Sequence, residues 1–228
     1  MAKRIALLLP HADSTLETDL KRFLPPDFVV HATRLWLEEV GADAEKRMVD
    51  EALPAGIKTL QGITRFDAAV FGCTSASVVY GPAGLERINI LLAEAFQCPA
   101  ITAFEAVLHD LCASEGPVAL LTPYTEEVNR FMTASLAEFN IEVAFSAELG
   151  IRADPKIAQV TPQQIEQFVE LHRDEILKSS KTILLSCTNL RALDAFDGII
   201  QKIGMNVITS NRSIVNWINT QIKGGCLW

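Results

Sequence analysis

Two short segments deliver the same side chains. Ala69-Val70-Phe71-Gly72-Cys73-Thr74-Ser75 and Ile183-Leu184-Leu185-Ser186-Cys187-Thr188-Asn189 are each an apolar run ending in cysteine, threonine and a small polar residue. The cysteines stand 114 positions apart (73 to 187). A thiol can give a proton, and a thiolate can take one or attack carbon. Two thiols reaching one cleft from opposite sides could remove a proton from one face of a small molecule and return one to the other. Neither segment holds Lys or Arg. A substrate carboxylate would therefore be held by amides and hydroxyls of Thr74, Ser75, Thr188 and Asn189.

Cysteine is also a common buried residue that packs as a small hydrophobe. One cysteine at a strand end reads that way. A matched pair, each followed by threonine, reads as functional. Cys98 precedes a strand, Cys112 belongs to an amphipathic helix and Cys226 sits in a Gly-rich tail. Those three read as structural or incidental.

The elements that must place the pair repeat as well. Ile5-Ala6-Leu7-Leu8-Leu9-Pro10-His11 matches Val118-Ala119-Leu120-Leu121-Thr122-Pro123-Tyr124, 113 positions on (5 to 118). Val29-Val30-His31 matches Val143-Ala144-Phe145, and Ile101-Thr102-Ala103 matches Ile208-Thr209-Ser210. The chain reads as one unit written twice, residues 1–114 and 115–228, with the final helix free to cross back to the first half. Strands are expected at 4–9, 28–32, 68–71, 100–102, 118–121, 141–145, 182–185 and 206–208. Helices are expected at 15–23, 42–62, 85–96, 104–113, 126–139, 162–178, 191–203 and 213–222, with Pro54 breaking or kinking the second. Such alternation implies α/β halves, each a four-stranded parallel sheet flanked by helices.

In open α/β sheets the ligand crevice lies beyond the C-terminal strand ends. Both cysteines are expected there, facing helix N-termini that favour thiolate. The first strands end at the same cleft, with Pro10-His11-Ala12-Asp13-Ser14-Thr15 and Pro123-Tyr124-Thr125-Glu126. Tyr124 reads as a substrate-facing hydroxyl, Thr125 as a helix cap, and Asp13 as either cap or substrate contact. His11 is Tyr124's counterpart but weak evidence by itself. His31, His109 and His172 fall in strand or helix patterns and read as non-catalytic. Gly150-Ile151-Arg152-Ala153-Asp154-Pro155 reads as a loop over the cleft, in which Asp154 either starts a turn or meets the substrate.

Composition narrows the partners. The 228 residues carry a net charge of −8, with 49% hydrophobic and 21% charged residues. That charge argues against nucleic acid and anionic membrane surfaces. A small anion is still admissible, because local amides can bind what the global field disfavours. No stretch approaches a membrane span, and the apolar start is too short for a signal peptide, so a cytoplasmic location is expected. No spacing suggests zinc, a disulfide framework or a nucleotide loop.

Taken together, the chain resembles the aspartate/glutamate racemase superfamily, on the branch of maleate cis-trans isomerases and arylmalonate decarboxylases. The residues carrying the resemblance are Gly72-Cys73-Thr74-Ser75, Leu121-Thr122-Pro123-Tyr124 with Glu127, Val128 and Asn129, Gly150-Ile151, and Ser186-Cys187-Thr188-Asn189 with Thr209-Ser210-Asn211. The resemblance implies two Rossmann-like halves related by a pseudo-twofold axis, a cofactor-free reaction beside a carboxylate, and a dimer. In the isomerase branch the thiolate matching Cys73 attacks an olefinic carbon and the thiol matching Cys187 supplies and recovers a proton. In the decarboxylase branch glycine replaces the first cysteine. This chain has Cys73, and it has Asp13 and Asp154 where the maleate isomerases have asparagine. Ionised aspartate only accepts hydrogen bonds, so the pair suits an amine or amide on the substrate. The leading expectation is a two-cysteine isomerase of a small carboxylate, whether by cis-trans isomerisation or by racemisation. Its rivals are an arylmalonate-type decarboxylase and a non-catalytic carboxylate-binding protein.

Overall fold

A computed structural model describes residues 2–223, so Cys226 lies outside the described residues. The first half runs β1 (Lys3–Pro10), α1 (Leu16–Phe23), β2 (Phe28–Leu35), α2 (Ala42–Arg47), α3 (Leu53–Leu60), β3 (Ala68–Phe71), α4 (Thr74–Ser77), α5 (Gly81–Phe96), β4 (Ala100–Thr102) and α6 (Ala103–Cys112). The second runs β5 (Val118–Thr122), α7 (Glu126–Glu138), β6 (Val143–Glu148), α8 (Asp154–Ile157), α9 (Pro162–Leu171), α10 (Arg173–Ser179), β7 (Thr182–Leu185), α11 (Ala192–Ile203), β8 (Asn206–Thr209) and α12 (Ser210–Lys223).

Each half is a four-stranded parallel sheet, ordered β2-β1-β3-β4 and β6-β5-β7-β8. The inner strands β3, β5 and β7 are buried along their whole length, and β1 beyond its first two residues, which is why they read as unbroken apolar runs. The edge strands β2 and β6 are only partly covered. β6 starts at Val143, opposite the first residue of β5 and two residues later than its apolar pattern predicts, and the β5–β6 register shifts between Val118 and Ala119. The long helix expected at 42–62 is two helices joined by a π turn, Met48–Ala52. Pro54 is the second residue of α3, separated from that wider turn by Leu53. The helix expected at 162–178 breaks at His172.

The halves exchange their closing helices. Phe104, Val107, Leu108 and Leu111 of α6 join the apolar core of the second half. Ile214, Val215, Trp217 and Ile218 of α12 join the core of the first. This reciprocal burial fixes the two sheets against each other, so that the ends of β1, β3, β5 and β7 converge.

Candidate functional site

The sheet order reverses direction between β1 and β3 and between β5 and β7, the positions where open α/β sheets form crevices. Both crevices open into one cavity. Its wall takes Pro10 and Asp13 from the end of β1, Cys73 and Ser75 from the end of β3, Tyr124 from β5, and Cys187 and Thr188 from β7. Leu37 and Val40 after β2, and Asp154 at the start of α8, close it. The free volume is about 10 Å³, room for about one water. Any substrate must displace part of the wall. The backbone amide of Val40 donates to the Arg152 carbonyl at 3.2 Å and Arg152 pairs with Glu39 at 3.3 Å, so these contacts hold the cover shut. A larger surface cleft of about 410 Å³ lies beside α1 and α11. It contains the Arg22–Asp194 ion pair and no thiol, whereas the small cavity is lined by both Cys73 and Cys187.

Local packing delivers Cys73. A Cβ on Gly72 would stand 2.5 Å from Leu16 Cδ2 and 3.3 Å from Leu9 Cβ. Only glycine lets the chain turn that close to β1. Its amide continues the sheet to Leu8 and its carbonyl accepts the Thr188 hydroxyl at 3.2 Å. The Thr74 hydroxyl donates to Ser210 Oγ at 3.0 Å. Each Cys-Thr motif is thereby clamped to the opposite half. Thr74 and Asn189 are buried in this seam and are not part of the cavity wall. Asn189 is its main stitch. Its Nδ2 donates to Asp154 Oδ1 at 3.0 Å, and its Oδ1 accepts the Ser14 amide at 3.0 Å.

The electrostatics differ from the sequence expectation in one respect. Burial pushes both thiols up, Cys73 well above the usual thiol range. The Ala76 amide donates to the Cys73 sulfur, and the Asn189 amide and Tyr124 hydroxyl to that of Cys187, but desolvation outweighs them. The reason is structural. α4 is a single turn, and α11 starts only at Ala192, so neither sulfur sits on a long helix terminus. With the cavity closed, both cysteines are thiols.

The carboxyls follow the same physics. Asp13 Oδ1 accepts the amides of Thr15 and Leu16, both at 2.9 Å, and so heads α1, while its Oδ2 is buried without a partner. Burial, and secondarily the charge of Asp154, raises Asp13 to about 7 against the pull of those amides. Asp154 is raised by burial, and its Oδ2 is likewise without a partner. A third acid, Glu45 of α2, is only 1% exposed and accepts the Ser75 hydroxyl. Burial takes it to about 7. Sequence reasoning passed over Glu45 because Ala42-Asp43-Ala44-Glu45 reads as an ordinary acidic first turn. Among the described residues, no group of three or more His, Cys, Asp or Glu could hold a metal ion.

The family model for arylmalonate decarboxylase matches residues 5–222. The chain belongs to the arylmalonate decarboxylase family. Its members include arylmalonate decarboxylase of Bordetella bronchiseptica, 28% identical over 224 residues, covering 97% of this chain and 90% of that one. The family is one of enzymes. A liganded arylmalonate decarboxylase variant, with one glycine changed to cysteine and one cysteine to serine, superposes with a TM-score of 0.85 at 26% identity, covering 98% of this chain and 94% of that one. Maleate isomerase of Pseudomonas putida S16 has the same fold, with a TM-score of 0.86 at 19% identity over 98% and 94% of the two chains. A cysteine-to-serine variant of Nocardia farcinica maleate cis-trans isomerase, carrying a covalently bound succinylcysteine intermediate, superposes with a TM-score of 0.85 at 18% identity over the same shares.

Proposed function

We propose that this family member is a cofactor-independent isomerase of a small carboxylic acid, with Cys73 and Cys187 acting from opposite walls. One observation carries the reading: two thiols, one from each half, line a single closed cavity. In a racemisation, one sulfur as thiolate takes the α-proton. The electron pair passes into the carboxylate as an enolate, and the other thiol protonates the opposite face. In a cis-trans isomerisation, Cys73 thiolate bonds to an olefinic carbon while Cys187 protonates its neighbour. Rotation, return of that proton to Cys187 and loss of the sulfur then give the trans acid. The succinylcysteine of the Nocardia farcinica enzyme is an adduct of that kind.

The carboxyls favour racemisation. Asp13 and Asp154 each keep one oxygen without a partner, and no Lys or Arg lines the cavity. As carboxylates they accept from an ammonium or amide N–H on the substrate. The cavity wall carries the hydroxyls of Ser75, Tyr124 and Thr188, which in the closed state donate to Glu45, the Cys187 sulfur and the Gly72 carbonyl; Tyr124 and Thr188 turn to hold the substrate carboxylate, with Thr74 and Asn189 setting the backbone. The substrate class is thus a small amino acid or its acylated derivative.

The test is turnover in deuterium oxide over a panel of amino acids, N-acyl amino acids, maleate and aryl malonates. Deuterium at the α-carbon with loss of optical activity is the expected result. Carbon dioxide release from malonates alone would overturn it in favour of decarboxylation, the reading that the family model and the Bordetella bronchiseptica relative favour.

A further inference from the structure

Close to Cys73, but outside the cavity wall, stands a carboxyl that the proposed reaction does not use. Ser75 Oγ lies 4.0 Å from Cys73 Sγ and donates to Glu45 Oε1. Cys73 and Ser75 line the cavity and Glu45 does not, so the hydroxyl links a wall thiol to a carboxyl outside the wall. The second half has a counterpart two residues after its own cysteine: Asn189 Nδ2 donates to Asp154 Oδ1. There the link is an amide, which holds its partner and passes no proton. In the first half the link is a hydroxyl, which can accept one proton while giving another.

We propose that Glu45 stores the proton of Cys73: the thiol proton passes to Ser75 Oγ as the Ser75 hydroxyl proton passes to Glu45 Oε1, leaving a thiolate, an unchanged serine and a neutral carboxylic acid. The reverse transfer restores the resting state, so no co-reactant is consumed. Glu45 acts only through Ser75 and is a positioning residue in this scheme, which rests on Cys73 being a reacting thiol. A proton that stays inside the protein removes the need for a solvent base to reach a buried sulfur. Burial brings Glu45 to about 7, so it can both receive and return a proton near neutral pH. The other titratable groups facing it are Asp154 and Tyr124 across the cavity. α4, packed against it, carries no charge, and Asp43, Arg47, Asp50 and Glu51 nearby in sequence are exposed.

The experiment is alkylation of the full chain by iodoacetamide from pH 5 to 10, read separately at Cys73 and Cys187 by peptide mass. The reagent is no larger than the carboxylates the cavity is read as admitting. The expected Cys73 profile rises through about pH 7 and then levels. In Glu45→Gln and in Ser75→Ala the step disappears and the rate at pH 8 falls about tenfold or more. Ser75→Thr, which keeps the hydroxyl, retains the step, and Cys187 keeps its own profile throughout. Loss of the step in Glu45→Gln but not in Ser75→Ala would mean that Glu45 acts by charge alone and would overturn the relay. So would an identical Cys73 profile in wild type and Glu45→Gln. Inertness of Cys73 at every pH in all four proteins would instead overturn the reading of the site on which the relay stands.

Discussion

The two halves share strand order, a cysteine at the end of the third strand and a threonine clamp after it, yet the side chains around the two cysteines differ. Gly72 precedes one cysteine and Ser186 the other. Cys73 has Ser75 and Glu45 behind it. Cys187 has Tyr124 donating to its sulfur, with Asn189 and Asp154 alongside. The matching strand order gives the two halves a common frame, and these few side chains put the two thiols in different surroundings. Tyr124 and the Asn189 amide stabilise charge on Cys187 directly, whereas Cys73 is offered a place to put its proton.

The sharpest way to break this comparison is to remove each sulfur in turn. If both serve one reaction, Cys73→Ser and Cys187→Ser each lower kcat by about 10²–10⁴-fold. A Cys73→Gly protein that still decarboxylates a malonate at the wild-type rate would show that only the second half is reactive.

A smaller contrast lies one residue earlier. Gly72→Ala forces a Cβ against Leu16 and Leu9 and should cost about 1–3 kcal/mol in urea unfolding. Ser186→Ala deletes a buried hydroxyl that has no partner and should be neutral or stabilising. Equal losses would mean that the two strand ends are packed alike.

The acids give a pH signature. The folded protein holds the protons of Asp13 and Glu45 to about 7, against ordinary values of 3.8 and 4.5. Both carboxyls thus bind protons more tightly folded than unfolded. Their contribution to stability is full below about pH 4 and is lost as pH rises through about 7. Urea midpoints should fall across that window, and Asp13→Asn with Glu45→Gln should flatten the fall. Asp154 is raised in the same sense, so Asp154→Asn tests whether the second half shares the trend.

The smallest effect is expected at the surface. The Arg152–Glu39 pair joins the covers of the two halves but is largely exposed, so Arg152→Ala should shift stability by under about 1 kcal/mol. Faster alkylation of both thiols in that variant would indicate a looser cover.

The legible and illegible parts of this site separate by range. The strand ends bearing Cys73, Cys187, Tyr124 and Asp13 were readable because apolar runs and their breakpoints are local signals. Those four side chains line the cavity together with Ser75, Asp154 and Thr188. The inward turn of Glu45 was not readable. An acid in the first turn of a helix carries no mark of burial, and its partner Ser75 lies thirty residues away. The outward-directed roles of Thr74 and Asn189 depend on Ser210 and Ser14, contacts made only once the halves dock. The late start of β6 was hidden for a similar reason, since it is set by where the neighbouring strand β5 begins.

The traded helices also set an order of events during synthesis. The face of α6 that belongs to the second core, and the first-half groove that receives α12, are both made early and left uncovered. Roughly a hundred residues separate α6 from α12, which at ribosomal speed is a wait of about 5–20 s. Through that interval the nascent first lobe presents bare apolar surface. Such a lobe is a natural client for a chaperone, and a ribosome stalled between the two helices would release a product prone to aggregate.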